Sequence, residues 1–158
     1  MSYISTKTYG HDVGLSVAFR QWRADSHCRF LHGYALGIRL EFIADNLDDR
    51  NWVVDFGGLK SFKQWIKDTF DHKTLVAYDD PKRPWFERAA EEGLLDLAFV
   101  DATGCEAFAF GIYNMAEHWL KENGYYPRCK IHRVEVKEHG ANSAIYQRGL
   151  SCTAQSTQ

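Results

Sequence analysis

No stretch of this 158-residue chain is long and apolar enough to span a bilayer, a task that takes about 20 residues. Neither sign of charge is in excess. Nineteen basic against 21 acidic side chains give a formal charge of -2, which excludes nucleic-acid binding driven by a strongly basic surface and leaves room only for a local patch. The four cysteines, Cys28, Cys105, Cys129 and Cys152, form no C-x-x-C pair. In a chain this size that excludes a disulfide scaffold and points to a reducing compartment. The opening residues Met1–Lys7 lack the apolar core of a signal peptide. There are no internal repeats and no low-complexity linker, and prolines number only three. The expected setting is cytoplasmic, with neither membrane nor nucleic acid as partner.

What is present is apolar and aromatic: 45% hydrophobic and 15% aromatic residues. A chain of this length buries about two-thirds of its unfolded surface and folds without staples. We expect a single domain over residues 1–153, with a polar tail at 154–158.

Val13, Leu15, Val17 and Phe19 recur at period two, a strand signal. A cleaner alternation follows: His32, Tyr34, Leu36, Ile38, Leu40 and Phe42 share one face, while Gly33, Ala35, Gly37, Arg39 and Glu41 share the other. The period then changes. Leu59, Phe62, Ile66 and Phe70 mark a helix, and a second runs from about Glu106 to Glu122 on a stripe of Phe108, Ile112, Met115, Trp119 and Leu120, stopping at Gly124. Between them Pro81 and Pro84 break the chain, with room for a short helix at Trp85–Leu97 in a connecting loop. Strands at Cys129–Glu138 and about Ser143–Leu150 flank a turn at Gly140–Asn142. The order ββααββ predicts an α+β domain, an antiparallel four-stranded sheet with helices on one face. Ile43, Ile131 and Ile145 fall on its other face, which suggests oligomerisation.

Four places carry possible chemistry. Cys28 has Arg23, Arg29 and His27 close in sequence, and positive charge favours thiolate; a half-buried loop cysteine with no role is the alternative. Asp71-His72, after the first helix, could move protons near neutral pH, or be a solvated helix end. Glu138 shares a strand face with Val134 and Val136, so it must pair with something unless the strand has already reached solvent. A carboxylate there could accept two parallel hydrogen bonds from a heterocycle. His32 and Tyr34 converge on one side of a strand as metal ligands can, although a lone histidine there is more often a core residue.

Taken in order, these fragments resemble the 6-pyruvoyl- and 6-carboxy-tetrahydropterin synthase family. Cys28-Arg-Phe-Leu-His-Gly-Tyr34 is similar to its C-x-x-x-H-G-H segment, and Trp52-Val-Val-Asp-Phe56 with Leu59-Lys60 to its W-(I/V)-(I/V)-D-F-x-x-L-K. Asp71-His72 is similar to L-D-H, with Phe70 for the leucine, Glu106 to the glutamate of P-T-x-E, and Val134–Glu138 to the closing V-x-V-x-E strand. The resemblance implies a tunnelling fold, in which strands of several subunits close a barrel, usually a homohexamer with sites between subunits. It implies Cys28 as general base, Asp71 and His72 as proton relay, Glu138 as anchor of the pterin ring and Glu106 near that ring. It also implies a reduced pterin substrate such as 7,8-dihydroneopterin triphosphate. The family reactions are triphosphate loss with internal redox, or side-chain cleavage toward the 6-carboxy product used in deazapurine synthesis. No organic cofactor is implied.

The resemblance further implies zinc on three histidines, of which this sequence keeps His32 alone; Phe19 and Tyr34 stand at the other two places. Protein zinc sites take at least three protein ligands, so the ligand count opposes a family-like centre unless His11 or His27 substitutes. Thr103-Gly-Cys105 replaces the residues before the family glutamate, and 79–103 is a longer connection that could reshape the pocket mouth. Two functions follow. One is a lyase acting on a pterin side chain, favoured by the retained acid–base residues. The other is a metal-free pterin- or purine-binding oligomer, favoured by the missing histidines. An assembly protein without a small-molecule site ranks last.

Overall fold

The computed structural model describes residues 1–149. The expected end of the last strand at Leu150, Cys152, the domain end at 153 and the polar tail at 154–158 lie outside the described residues.

The sheet has seven strands and is mixed, not four-stranded and antiparallel. Its spine is β3, His32–Ala44, whose Leu36, Ile38, Leu40 and Phe42 are fully buried at the expected spacing. β1 (Tyr3–Tyr9) pairs with the second half of β3, and β2 (Leu15–Phe19) continues along the first half. On the opposite edge β6 (Cys129–Lys137) pairs with β3, and β7 (Ser143–Tyr146) pairs with β6. Beyond β2, β4 (Lys73–Ala77) and β5 (Asp96–Val100) add in parallel.

Three strands were thus not expected, for physical reasons. β1 exposes most of its residues, so its sequence shows no apolar face. β4 buries Thr74, Leu75, Val76 and Ala77 in succession; a strand covered on both sides has no alternation to read. β5 starts at the last two residues of the stretch expected to be helical, Trp85–Leu97, and runs on into the connection beyond it; the helix there, α2, is Arg83–Glu91, with Pro84 in its first turn.

α1 (Lys60–Phe70) and α3 (Cys105–Glu122) bury the expected residues Phe62, Ile66, Phe70, Phe108, Ile112, Trp119 and Leu120 against the sheet, with Met115 half-buried. The W-V-V-D-F segment leads into α1: Val53 and Val54 enter the core, and the Asp55 carboxylate accepts from the Gly57 N–H at 2.8 Å, starting the one-turn helix before α1. α2 packs on β4 and β5. Its buried Phe86 and Ala89, like Val76, lie outside the main core, whereas the neighbouring Leu75 belongs to it. Since adjacent strand residues face opposite ways, α2, the helix expected in the connecting loop, packs on the other face, while the two helices expected on one side, α1 and α3, both pack into the main core.

A bulge between Glu41 and Phe42 shifts the β3–β6 register. Ile131, expected on the outer face, is consequently in the core, while Ile43 is half-buried and Ile145 exposed. Glu41, expected on a polar face, is only 6% exposed and pairs with Arg133 at 2.7 Å.

Candidate functional site

Glu138 follows the last residue of β6, and its N–H donates to the Asn142 carbonyl at 3.1 Å, closing the hairpin to β7. This places the half-buried carboxylate over the start of α3. Glu138, Cys105, Glu106, Gln21, Asn142 and Ser143 line a polar hollow of about 440 Å³. Two sequence-predicted ring-binding residues, Glu138 and Glu106, therefore share one hollow. Gly104 makes the approach possible: it enters α3 at φ 113, and a Cβ there would lie 2.6 Å from the Gln21 amide nitrogen. Burial, reinforced by the charges of Glu138 and Glu106, pushes the Cys105 thiol up to about 12. Cys105 is therefore a protonated, uncharged wall of the hollow.

Tyr34, on β3, lies near enough to this hollow to feel its charges. Its phenol is held above the ordinary tyrosine range by burial first, then by the charge of Glu138, with Cys28 and Cys105 adding to it. It is a neutral O–H donor within range of the charges of Glu138 and Cys28, and it lines the hollow that holds His72. Its ring also contacts His32, His139 and Phe19, at centroid distances of 5.5, 6.0 and 6.1 Å.

The family's zinc does not fit these residues. Phe19, wholly buried, sits 5.1 Å from His32 and edge-on to Phe108. It has no lone pair to offer, and neutral tyrosine is not among zinc's usual ligands. His32 Nδ1 lies 2.7 Å from the Phe30 carbonyl. His11 Nδ1 is engaged by the Ala35 carbonyl, and His27 is exposed on a one-turn helix. Among the described residues no group of three His, Cys, Asp or Glu side chains is placed to hold a metal ion.

Cys28 is half-buried in that one-turn helix, His27–Arg29, where Ser26 Oγ accepts from its N–H. It lines a second hollow of about 390 Å³ with Trp22, Arg23, Asp79, Asp101 and Thr103. Gln21 lines both hollows, and its N–H donates to the Cys28 carbonyl at 2.9 Å. Cys28 thus stands beside the carboxylate hollow, separated by one glutamine.

Asp71 and His72 are elsewhere. His72 follows α1 at φ 58, a left-handed conformation rare for residues other than glycine, and its N–H donates to the Ser16 carbonyl at 2.6 Å. Asp71 Oδ1 holds His72 Nδ1 at 2.8 Å. The imidazole is largely exposed and lines a third hollow with Ser16, Gly33, Thr74 and Asp96. Within one chain His72, together with Tyr34, lines a different hollow from Cys28.

Cys105, Gln21 and Asn142 were not singled out by sequence reasoning. Cys105 had one usable signal, its place directly before Glu106 at a helix start. Gln21 and Asn142 had none, because loop geometry alone brings them in.

With this geometry established, comparison with known proteins is informative. The 6-carboxy-5,6,7,8-tetrahydropterin synthase of Aquifex aeolicus is 24% identical over 136 residues, covering 85% of this chain and 84% of that protein. An uncharacterized protein of Wolinella succinogenes superposes with a TM-score of 0.78 at 20% identity, over 94% of this chain and 99% of its own. The 6-pyruvoyl tetrahydropterin synthase of Plasmodium falciparum gives 0.66 at 16% identity, over 92% and 96%. At those identities the two solved structures share the fold. The family described as 6-pyruvoyl tetrahydropterin synthase matches residues 11–149, nearly all of the described chain, and to that family this protein belongs.

Proposed function

We propose that this protein is a lyase that cleaves the side chain of a reduced pterin, of the class of 7,8-dihydroneopterin triphosphate, in the manner of a 6-carboxy-tetrahydropterin synthase. The observation that carries this reading is the hollow shared by Glu138 and Glu106, with Cys28 in a second hollow that shares Gln21 with it. An ionised carboxylate at Glu138 can accept two parallel N–H donors from the ring, which fixes the ring's orientation. A ring so held directs its substituent toward the Gln21 boundary and Cys28.

Cys28 acts as the base in this reading, and only its thiolate can take a proton from the side chain. Tyr34 stays neutral and donates a hydrogen bond to a side-chain oxygen as charge develops there. Asp71 orients His72, which returns the proton. Because His72 lines a different hollow from Cys28 in one chain, the reading includes a homo-oligomer, a hexamer in the family pattern, in which a second copy supplies the relay pair. In family members zinc polarises the side-chain oxygens; no step here is routed through it.

A metal-free pterin-binding oligomer is the second reading, and the Phe19 ring in the place of a ligand favours it. Two measurements decide. Reduced-pterin binding should weaken about 10- to 100-fold in Glu138→Ala, since a charge-assisted hydrogen bond is worth about 1.5–3 kcal/mol. Turnover should vanish in Cys28→Ala while binding persists. Binding without turnover in the wild type selects the second reading, binding untouched by Glu138→Ala removes Glu138 as the ring anchor in both, and no binding of a reduced pterin ends both.

A further inference from the structure

An ion pair at the neck of the Cys28 loop, buried on its Asp80 side and half-buried on its Arg20 side, has no part in the chemistry above. Arg20 directly follows β2. Its Nε and Nη2 donate to the two carboxylate oxygens of Asp80, at 2.8 and 2.6 Å, a two-pronged contact. Asp80 is 3% exposed and lies in the turn between β4 and α2. That turn holds it firmly: its carboxylate also accepts from the Lys82 N–H at 2.8 Å, its own N–H donates to the Ala77 carbonyl, and its carbonyl accepts from Arg83.

The same arginine reaches two further segments. Nη1 donates to the carbonyl of Arg29, the residue after Cys28, at 3.3 Å. The Arg20 carbonyl accepts from the Thr103 hydroxyl at 2.7 Å, on the segment that leads into Cys105 and Glu106. The loop is tied again nearer its tip, where Asp79 accepts from Trp22 Nε1 at 3.0 Å and from Arg23 at 2.8 Å. Asp79, Asp80 and Thr103 all come from the 79–103 connection.

Stability alone does not explain such a pair. Desolvating two charges consumes most of their attraction, and apolar side chains of like volume hold a fold equally well. What apolar packing cannot supply is direction: a planar fork meets a carboxylate in one orientation and leaves a third N–H aimed at a defined carbonyl. Here that direction links the Cys28 turn, the approach to Glu106 and the anchored turn at Asp80.

We propose that Arg20 and Asp80 are positioning residues that set the distance and orientation of Cys28 relative to the Glu138–Glu106 hollow. This rests on the reading of Cys28 as the base. Asp80→Asn keeps the shape and loses the charge; Arg20→Lys keeps the charge and loses the fork and the link to Arg29. In both, kcat on a reduced pterin should fall by about 10- to 100-fold, the scale of a small misplacement of a catalytic group. KM should hardly change, because Glu138 is outside the network. Iodoacetamide alkylation, followed on the Cys28 peptide by mass spectrometry, should accelerate several-fold as the turn loosens. Asp80→Glu should recover part of both effects.

Variants that lose thermal stability yet keep kcat and the Cys28 alkylation rate of the wild type would overturn the proposal, leaving the pair a structural brace. If Asp80→Asn does not fold, Arg20→Lys decides by the same readouts. If the wild type turns over no pterin, the function reading fails separately, and the alkylation rates still decide whether this pair sets the Cys28 turn.

Discussion

Phe19 on β2 and His32 on β3 are register partners whose rings lie 5.1 Å apart, and Tyr34 closes against both. An apolar ring and a phenol thus flank His32, the histidine that the family resemblance assigns to a metal. Restoring donors should restore the ion: the double variant Phe19→His, Tyr34→His should purify with about one zinc per chain, as a three-histidine site binds. Elemental analysis of the variant and the wild type, prepared identically, checks this. About one zinc per chain in the wild type as well would mean that other ligands already hold the metal, and none in the variant would mean that these three positions cannot hold one.

The three described cysteines differ in environment, and reactivity should follow. Burial first, with nearby glutamates, pushes Cys105 up to about 12, and burial pushes Cys129 up to about 11. At about pH 8 fewer than roughly one in a hundred of either is thiolate, and the thiolate is the nucleophile. Cys28 is half-buried and flanked by cationic side chains. Peptide-resolved alkylation should therefore mark Cys28 well before Cys105 and Cys129, and early labelling of Cys105 would contradict the burial described here.

How much of this was legible in the sequence depended on how many sides of each element are covered. β3 could be read because Leu36, Ile38, Leu40 and Phe42 alternate with smaller or polar residues. α1 and α3 could be read because one stripe of each is apolar. β4 could not, since Thr74 through Ala77 are buried together, and β1 could not, since it is an exposed edge. In the site, Glu138 was visible as a carboxylate among valines and Glu106 through its motif. Gln21, Cys105 and Asn142 come together only through tertiary contacts, and so do Arg20 and Asp80, 60 positions apart. No local pattern records a pairing at that separation.

Gly33, between His32 and Tyr34, is where β2 and β3 approach most demandingly. A Cβ there would lie 2.6 Å from the Val17 carbonyl oxygen, a backbone atom that cannot turn away. Gly33→Ala should therefore open the β2–β3 pairing and destabilise the fold by about 1–3 kcal/mol, the usual range for overpacking. Gly140, in the β6–β7 turn, has no atom within 4 Å of its would-be Cβ. Gly140→Ala should stay within about 0.5 kcal/mol of the wild type. Urea denaturation of the pair tests the contrast, and equal stabilities would show that the strands can separate without cost.

Glu41 and Arg133 join β3 to β6 beside the bulge, with Arg133 Nε 2.7 Å from the carboxylate and Arg39 at 3.2 Å on its other oxygen. Hydrogen bonding from Arg133 holds the Glu41 carboxyl below the ordinary glutamate range, against the opposing effect of burial. A carboxyl whose folded pKa is depressed adds stability above its unfolded value and loses it as pH falls through the folded one. Glu41→Gln keeps the shape and removes the charge, so it should cost about 1.5–3 kcal/mol at neutral pH, the range for a lost bond to a charged group. That difference should hold steady through the neutral range and shrink as pH falls below about 4.3, where the unfolded glutamate begins to protonate. Denaturation of both proteins as a function of pH measures it directly. A difference that grows on acidification would mean that the pair does not stabilise the fold through the Glu41 charge.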